Sequence, residues 1–188
     1  YTPGTQGEEK TIRLEIKLVA DVGFIGMPNA GKSTLLNNLT NSNAKVANYP
    51  FTTLSPNLGA YTLRNGNTIV LADIPGLIEG ASKGKGLGDD FLRHTERTRV
   101  LVHLIDGFSE DCLNTYEVIR KELADYGKGL LEKPEIVAIN KIDITEVKEN
   151  FKNISDIFKK KGIKVFGVSS ATGEGIDELM LEVMKVLE

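Results

Sequence analysis

Apolar and polar positions alternate strictly over residues 11–19, with Ile12, Leu14, Ile16 and Leu18 on one side and Arg13, Glu15 and Lys17 on the other. This period of two predicts a strand with one covered face. Beyond Asp21 the pattern changes to short, mainly apolar runs at 22–25, 69–72, 100–105, 136–139 and 165–168. Runs of this length that are apolar on both faces predict strands in a sheet covered on both sides. Helical spacing fills the intervals, at 32–41, 89–98, 111–126, 145–161 and 176–187. With a further β segment after the loop near residue 50, the expectation is an α/β fold: a mostly parallel six-stranded sheet with helices on both faces. Residues 1–7 carry Pro3, Gly4 and Gly7 and read as irregular chain.

Composition narrows this picture only modestly. The 188 residues fit one compact domain, and 40% hydrophobic with 26% charged residues is ordinary for a folded globular chain. A net charge of −3 supplies no basic field for recruiting nucleic acid or membrane. The run Lys159, Lys160 and Lys161 reads as the cationic end of a helix, where it complements the helix dipole. No apolar stretch reaches membrane-spanning length, and the polar start has no signal-peptide pattern. The single cysteine, Cys112, has no partner for an internal disulfide, so a reducing, cytoplasmic setting is expected.

The chemistry concentrates where strands end. Residues 26–33, Gly-Met-Pro-Asn-Ala-Gly-Lys-Ser, follow a predicted strand and open a predicted helix, the context a phosphate-binding loop requires. Small residues let backbone N–H groups curl around phosphates at a helix N-terminus that already favours anions. Lys32 adds charge at the β- and γ-phosphates, and Ser33 offers a hydroxyl to Mg²⁺. Asp73-Ile-Pro-Gly76 ends another strand, setting a carboxylate toward the same metal and a flexible N–H toward a γ-phosphate. Taken alone, that tetrapeptide is an ordinary Asp before a Pro-Gly turn; its position about forty residues after the phosphate loop gives it weight. Between them, Phe51, Thr52 and Thr53 lie in a loop before a β segment. Thr53 is the expected second Mg²⁺ hydroxyl ligand and Thr52 its neighbour; the alternative is that both merely begin a strand.

Asn140-Lys141-Ile142-Asp143 closes the fourth of these runs. Asp143 suits the N1–H and 2-amino donors of guanine, which adenine lacks, and Asn140 the opposite edge of the base. Ser169, Ser170 and Ala171, after the last run, are small enough to bring a backbone N–H to the base oxygen, although Ser-Ser-Ala-Thr-Gly alone is a turn and helix cap. The full nucleotide-contacting set is then Gly26, Pro28, Asn29, Ala30, Gly31, Lys32, Ser33, Thr34, Phe51, Thr52, Thr53, Asp73, Gly76, Asn140, Lys141, Asp143, Ser169, Ser170 and Ala171. Within it Lys32, Asn29, Thr53 and Gly76 are expected to act on the reaction, and Ser33, Thr53 and Asp73 to hold Mg²⁺.

These stretches occur in the order and spacing of the translation-factor-like GTPases, a P-loop NTPase G domain. Their connecting residues resemble one family in particular, the Obg GTPases. The resemblance rests on 20–23 (Ala-Asp-Val-Gly), 47–59 (Ala-Asn-Tyr-Pro-Phe-Thr-Thr-Leu-Ser-Pro-Asn-Leu-Gly), 73–81 (Asp-Ile-Pro-Gly-Leu-Ile-Glu-Gly-Ala) and 86–98 (Gly-Leu-Gly-Asp-Asp-Phe-Leu-Arg-His-Thr-Glu-Arg-Thr), and spans about 11–188. It implies GTP and GDP as ligands, slow GTP hydrolysis, loops at 47–55 and 73–89 that respond to the nucleotide, and association with the large ribosomal subunit. It also implies that 1–19 are the tail of a glycine-rich N-terminal domain that carries most of the ribosome contact, with 20–188 as the G domain, expected to be a monomer. The alternative is a passive guanine-nucleotide-binding module with negligible hydrolysis.

One departure matters. Ras-like proteins orient the attacking water with a Gln directly after the Asp-x-x-Gly tetrapeptide, whereas Leu77 stands here. His94, in a predicted helix, and His103, in an apolar strand, are poor substitutes. Asn29 offers a neutral oxygen within the phosphate loop, which makes K⁺ a further candidate cofactor; the resemblance to GTPases that combine these features points the same way.

Overall fold

The computed structural model describes residues 7, 20–41, 57–62, 66–74, 95–127 and 129–188. The strand expected at 11–19, the loop at 47–55, the loop expected at 73–89 apart from Asp73 and Ile74, and most of the helix expected at 89–98 lie outside the described residues.

Six strands form one sheet: β1 (Ala20–Ile25), β2 (Asn57–Thr62), β3 (Thr68–Asp73), β4 (Thr98–Asp106), β5 (Glu135–Asn140) and β6 (Val165–Gly167), in the spatial order β2-β3-β1-β4-β5-β6. β2 runs antiparallel to β3 and every other pairing is parallel. Among the described residues α1 (Lys32–Asn41) follows β1, α2 (Cys112–Tyr126) joins β4 to β5, α3 (Thr145–Lys160) joins β5 to β6, and α4 (Ile176–Leu187) follows β6.

Alternate strand residues serve opposite faces. Val22, Phe24, Val100, Val102 and Leu104 pack with Leu35, Leu36 and Leu39 of α1 and with Leu179, Met180 and Val183 of α4. On the other face, Ile25 and Leu101 meet Ile119 and Leu123 of α2, while Ile105, Val137 and Ile139 meet Ile154 and Phe158 of α3. The central runs of these strands, such as Val22–Ile25 and Ile136–Ile139, are apolar because both faces are covered there, and each fully buried large side chain contributes about 2 kcal/mol.

The helices expected at 32–41 and 176–187 have those bounds. Asp111 is the N-cap of α2, its carboxylate accepting from Asn114 N at 2.8 Å. Asp111, read as part of that helix, thus lies just outside it, and three further expectations are corrected at their edges. Thr98, read as the end of a helix, instead opens β4, where it is buried and paired with Ala20; among the described residues before it, Thr95 and Glu96 are helical. Lys161 is the C-cap of α3 rather than part of it. Val168 falls just past β6, although its N–H still donates to Ile139 O at 2.8 Å.

Candidate nucleotide site

Four parallel strands, β1, β3, β4 and β5, end along one edge of the sheet, and their last residues or the loops after them carry most of the chemistry read from sequence. Loop 26–31 leaves β1, Asp73 ends β3, Asp106 ends β4, Asn140 ends β5, and 168–171 follows the parallel β6. This is the edge where open α/β sheets bind ligands.

The loop after β1 takes backbone shapes that explain its glycines. Gly26 has φ 148° and Gly31 φ 97°; a Cβ on the first would strike the Leu104 carbonyl oxygen, and on the second the Asn140 amide. Asn29 adopts the left-handed region at φ 63°, which Asn tolerates better than most residues. α1 then starts at Lys32, so its first N–H groups lack helical acceptors and its positive dipole end faces the loop.

Lys32 is buried, and its ammonium arches back to donate to Gly26 O at 3.0 Å and Met27 O at 3.1 Å, leaving one donor of three. Burial lowers its pKa, and the nearby Asp73 charge partly offsets this. An anion at the loop would favour the charged form.

The Ser33 hydroxyl donates to Asp73 Oδ2 in a close contact. The other oxygen, Asp73 Oδ1, is buried with no hydrogen-bond partner among the described residues, which is costly unless something pairs with it. A carboxylate and a hydroxyl side by side are hard oxygen donors of the kind Mg²⁺ takes, and the residues fit that ion. Among the described residues no group of three or more His, Cys, Asp or Glu gathers around one point.

Asn140 joins this half of the site to the other. Its Nδ2 donates to Ala30 O at 2.7 Å, and its Oδ1 accepts from Ser170 N at 2.8 Å and Ser170 Oγ at 3.0 Å. All of these bonds are buried, so the residue spans the gap between the phosphate loop and the 169–171 loop. One Nδ2 hydrogen remains for a ligand. Ser169 shapes its own turn, accepting from Thr172 N at 3.1 Å. Asp143 and Ala171 are exposed.

Lys141 holds φ 70°, a left-handed conformation that costs a non-glycine residue about 1 kcal/mol. Its ammonium pairs with Asp106 Oδ2, while Asp106 Oδ1 accepts from Phe108 N at 3.0 Å. Sequence reasoning missed Asp106, although an Asp closing an apolar strand is the signal that picked out Asp73. It also missed Asn38 of α1, whose amide donates to Ser170 O at 3.2 Å. Thr53, Thr52, Phe51, Gly76 and Leu77 lie outside the described residues. His103 is away from this edge, buried between β4 and α2, with Nδ1 2.9 Å from Glu135 Oε1 and its ring stacked on Tyr116.

Residues 21–141 match the family described as 50S ribosome-binding GTPase. The chain is 50% identical over 99% of its length to GTPase Obg of Syntrophotalea carbinolica, covering 53% of that protein. It is 49% identical over 100% of its length to GTPase Obg of Synechococcus sp. (strain JA-3-3Ab), covering 49% of that one. The chain thus spans about half the length of the curated relatives it matches. Among solved structures it resembles Era of Aquifex aeolicus bound to GDP·AlF4⁻, with TM-score 0.68 and 29% identity over 90% of this chain and 57% of that one. It also resembles the G domain of the iron transporter FeoB of T. maritima, with TM-score 0.67 and 27% identity over 91% of this chain and 100% of that one.

Proposed function

Since the chain belongs to the Obg GTPases, we propose that it is a guanine-nucleotide-binding, GTP-hydrolysing domain that serves as a slow GTP-driven switch acting at the large ribosomal subunit. The observation that carries the reading is the Asn140 bridge, because it makes the phosphate loop and the base loop parts of one cradle.

In this reading Lys32, with the first N–H groups of α1, holds the β- and γ-phosphates and stabilises the negative charge that develops as the terminal phosphoryl group leaves. Ser33 and Asp73, joined by Thr53, hold Mg²⁺, which when bound neutralises phosphate charge. Asp143 pairs with the N1–H and 2-amino group of guanine, Asn140 with its remaining amide hydrogen reaches the opposite edge, and Ser169 to Ala171 bring a backbone N–H to the base oxygen. Gly76 and Thr53 respond to the γ-phosphate and so give the nucleotide control of two loops. Leu77 offers no water-orienting amide, so the unassisted reaction is slow, and Asn29 would help to hold a K⁺, which would supply positive charge that favours the transition state.

The cytoplasm is the proposed compartment and a monomer the proposed state. Among the described residues no helix is long and apolar enough to cross a membrane. Binding of the full-length protein to purified large ribosomal subunits, by co-sedimentation in GTP and in GDP, tests the switch. Nucleotide-dependent binding is expected, and equal binding with both nucleotides would remove it. Single-turnover hydrolysis with and without those subunits separates a switch from a module that merely holds nucleotide.

A further inference from the structure

Ser170 is held from two sides. Its N–H and hydroxyl both donate to Asn140 Oδ1, and its carbonyl oxygen accepts from the side-chain amide of Asn38 at 3.2 Å. Asn38 stands on α1, the helix that begins at Lys32 in the phosphate loop. A Cβ built on Gly173 would lie 3.9 Å from the Asn38 amide nitrogen, so the turn that follows Ser170 also passes along this side chain.

The carbonyl of Ser170 and the N–H of Ala171 belong to one planar trans peptide and point in opposite directions. Fixing the oxygen fixes the direction of that N–H, and a hydrogen bond accepted at the oxygen polarises the peptide and strengthens the donor on its far side. Ala171 is exposed, and its N–H has no acceptor among the described residues. The preceding peptide is pinned by Asn140 through Ser170 N, which among the described residues leaves the Asn38 contact as the restraint on the Ser170–Ala171 unit.

We propose that Asn38 is a positioning residue for guanine selection, holding the Ser170–Ala171 peptide so that the Ala171 N–H is presented to the oxygen at C6 of the base. The proposal rests on the assignment of 169–171 to the base site. It also makes base discrimination depend on α1, the helix that carries the phosphate-binding residues. A merely structural tie predicts something else: removing it would lower stability and weaken all nucleotides alike.

The test compares GDP with 6-thio-GDP, in which a weakly accepting sulfur replaces the C6 oxygen while the N1–H and 2-amino group remain. Affinities for both are measured at matched Mg²⁺ for wild type, Asn38→Ala and the equal-sized Asn38→Asp, alongside thermal unfolding of each. Wild type is expected to prefer GDP by about fivefold, the scale of one net hydrogen bond. Both variants are expected to lose most of that preference, through weaker GDP binding and nearly unchanged 6-thio-GDP binding. The loss is expected to be at least as large for Asn38→Asp, whose carboxylate would face a carbonyl oxygen. A preference retained in both variants overturns the role of Asn38 and leaves the base-site assignment standing; equal binding of the two nucleotides by wild type overturns both.

Discussion

Asn140 Nδ2 donates to the carbonyl oxygen of Ala30 at 2.7 Å, tying the last residue of β5 to the phosphate loop across the width of the site. With the bonds to Ser170, the side chain satisfies three buried groups that have few other options. Asn140→Ala is expected to destabilise the fold by about 2 kcal/mol, because Ala30 O and Ser170 N lose their buried partner. GDP affinity should fall more than about tenfold as the two loops lose their common anchor. Urea unfolding and nucleotide titration measure both effects, and unchanged stability would show that water replaces the side chain without cost.

At Asp143 the carboxylate is exposed, so replacing it leaves the fold alone and tests recognition by itself. Asp143→Asn is expected to weaken GDP more than about tenfold and to shift preference toward xanthine nucleotides, whose 2-oxygen pairs with an amide hydrogen as guanine's 2-amino group pairs with a carboxylate. Competition between GDP and XDP reads the shift directly. Unchanged GDP affinity would remove Asp143 from the base site.

Hydrolysis is expected to run about tenfold faster in K⁺ than in Na⁺ at equal ionic strength, because a cation at Asn29 adds charge where the transition state needs it. The left-handed backbone at Asn29 is also compatible with a purely local, loop-shaping side chain. The two roles separate in Asn29→Ala: a K⁺ effect that survives that substitution, or equal rates in the two salts, would sink the assignment.

Glu135 gives the fold its own pH dependence, away from the nucleotide. Burial alone would raise the pKa of this carboxyl, but the hydrogen bond and charge of His103, the Arg120 guanidinium and the Tyr116 hydroxyl carry it below its ordinary value. The same environment pushes Tyr116 up to about 12, burial first and the Glu135 charge next. A carboxyl with a depressed folded pKa contributes stability that is present above its unfolded pKa and lost as pH falls through the folded one. Glu135→Gln is therefore expected to cost about 2 kcal/mol at pH 7, with the gap to wild type closing below about pH 4. Denaturant unfolding across pH measures it; a gap that stays constant down to pH 3 would mean that the carboxylate's charge is immaterial.

How far the sequence carried depended on whether a signal was local. Val22 to Ile25 and Ile136 to Ile139 announced core strands because both faces are buried, which leaves no polar residue to interrupt the run. α1 and α4 kept their expected ends because their apolar periodicity starts and stops cleanly. Thr98 was misread because its strand character comes from Ala20 and Val100, far in sequence on one side and near on the other, while no Gly or Pro in 89–98 punctuates the change. The phosphate loop and Asp73 were legible as spaced patterns, and the structure brings them beside Asn140 and Ser170. That Asn140 spends most of its amide on protein rather than ligand was not legible, since only the folded loops show which carbonyl lies within reach. Asn38 carries no pattern at all: an Asn on a helix face reads as solvated until Ser170 O appears beside it.

The antiparallel ladder of β2 and β3 runs from Asn57 opposite Asp73 at one end to Thr62 opposite Thr68 at the other. Six residues of strand span about 20 Å, so the far end is well removed from the chemistry. Gly66 there is exposed, holds φ 84°, and has open space where a side chain would stand. For engineering, this makes the Gly66 end of the ladder a handle: a dye, an affinity tag or a surface anchor attached at Gly66 sits at the end of the sheet away from Asp73.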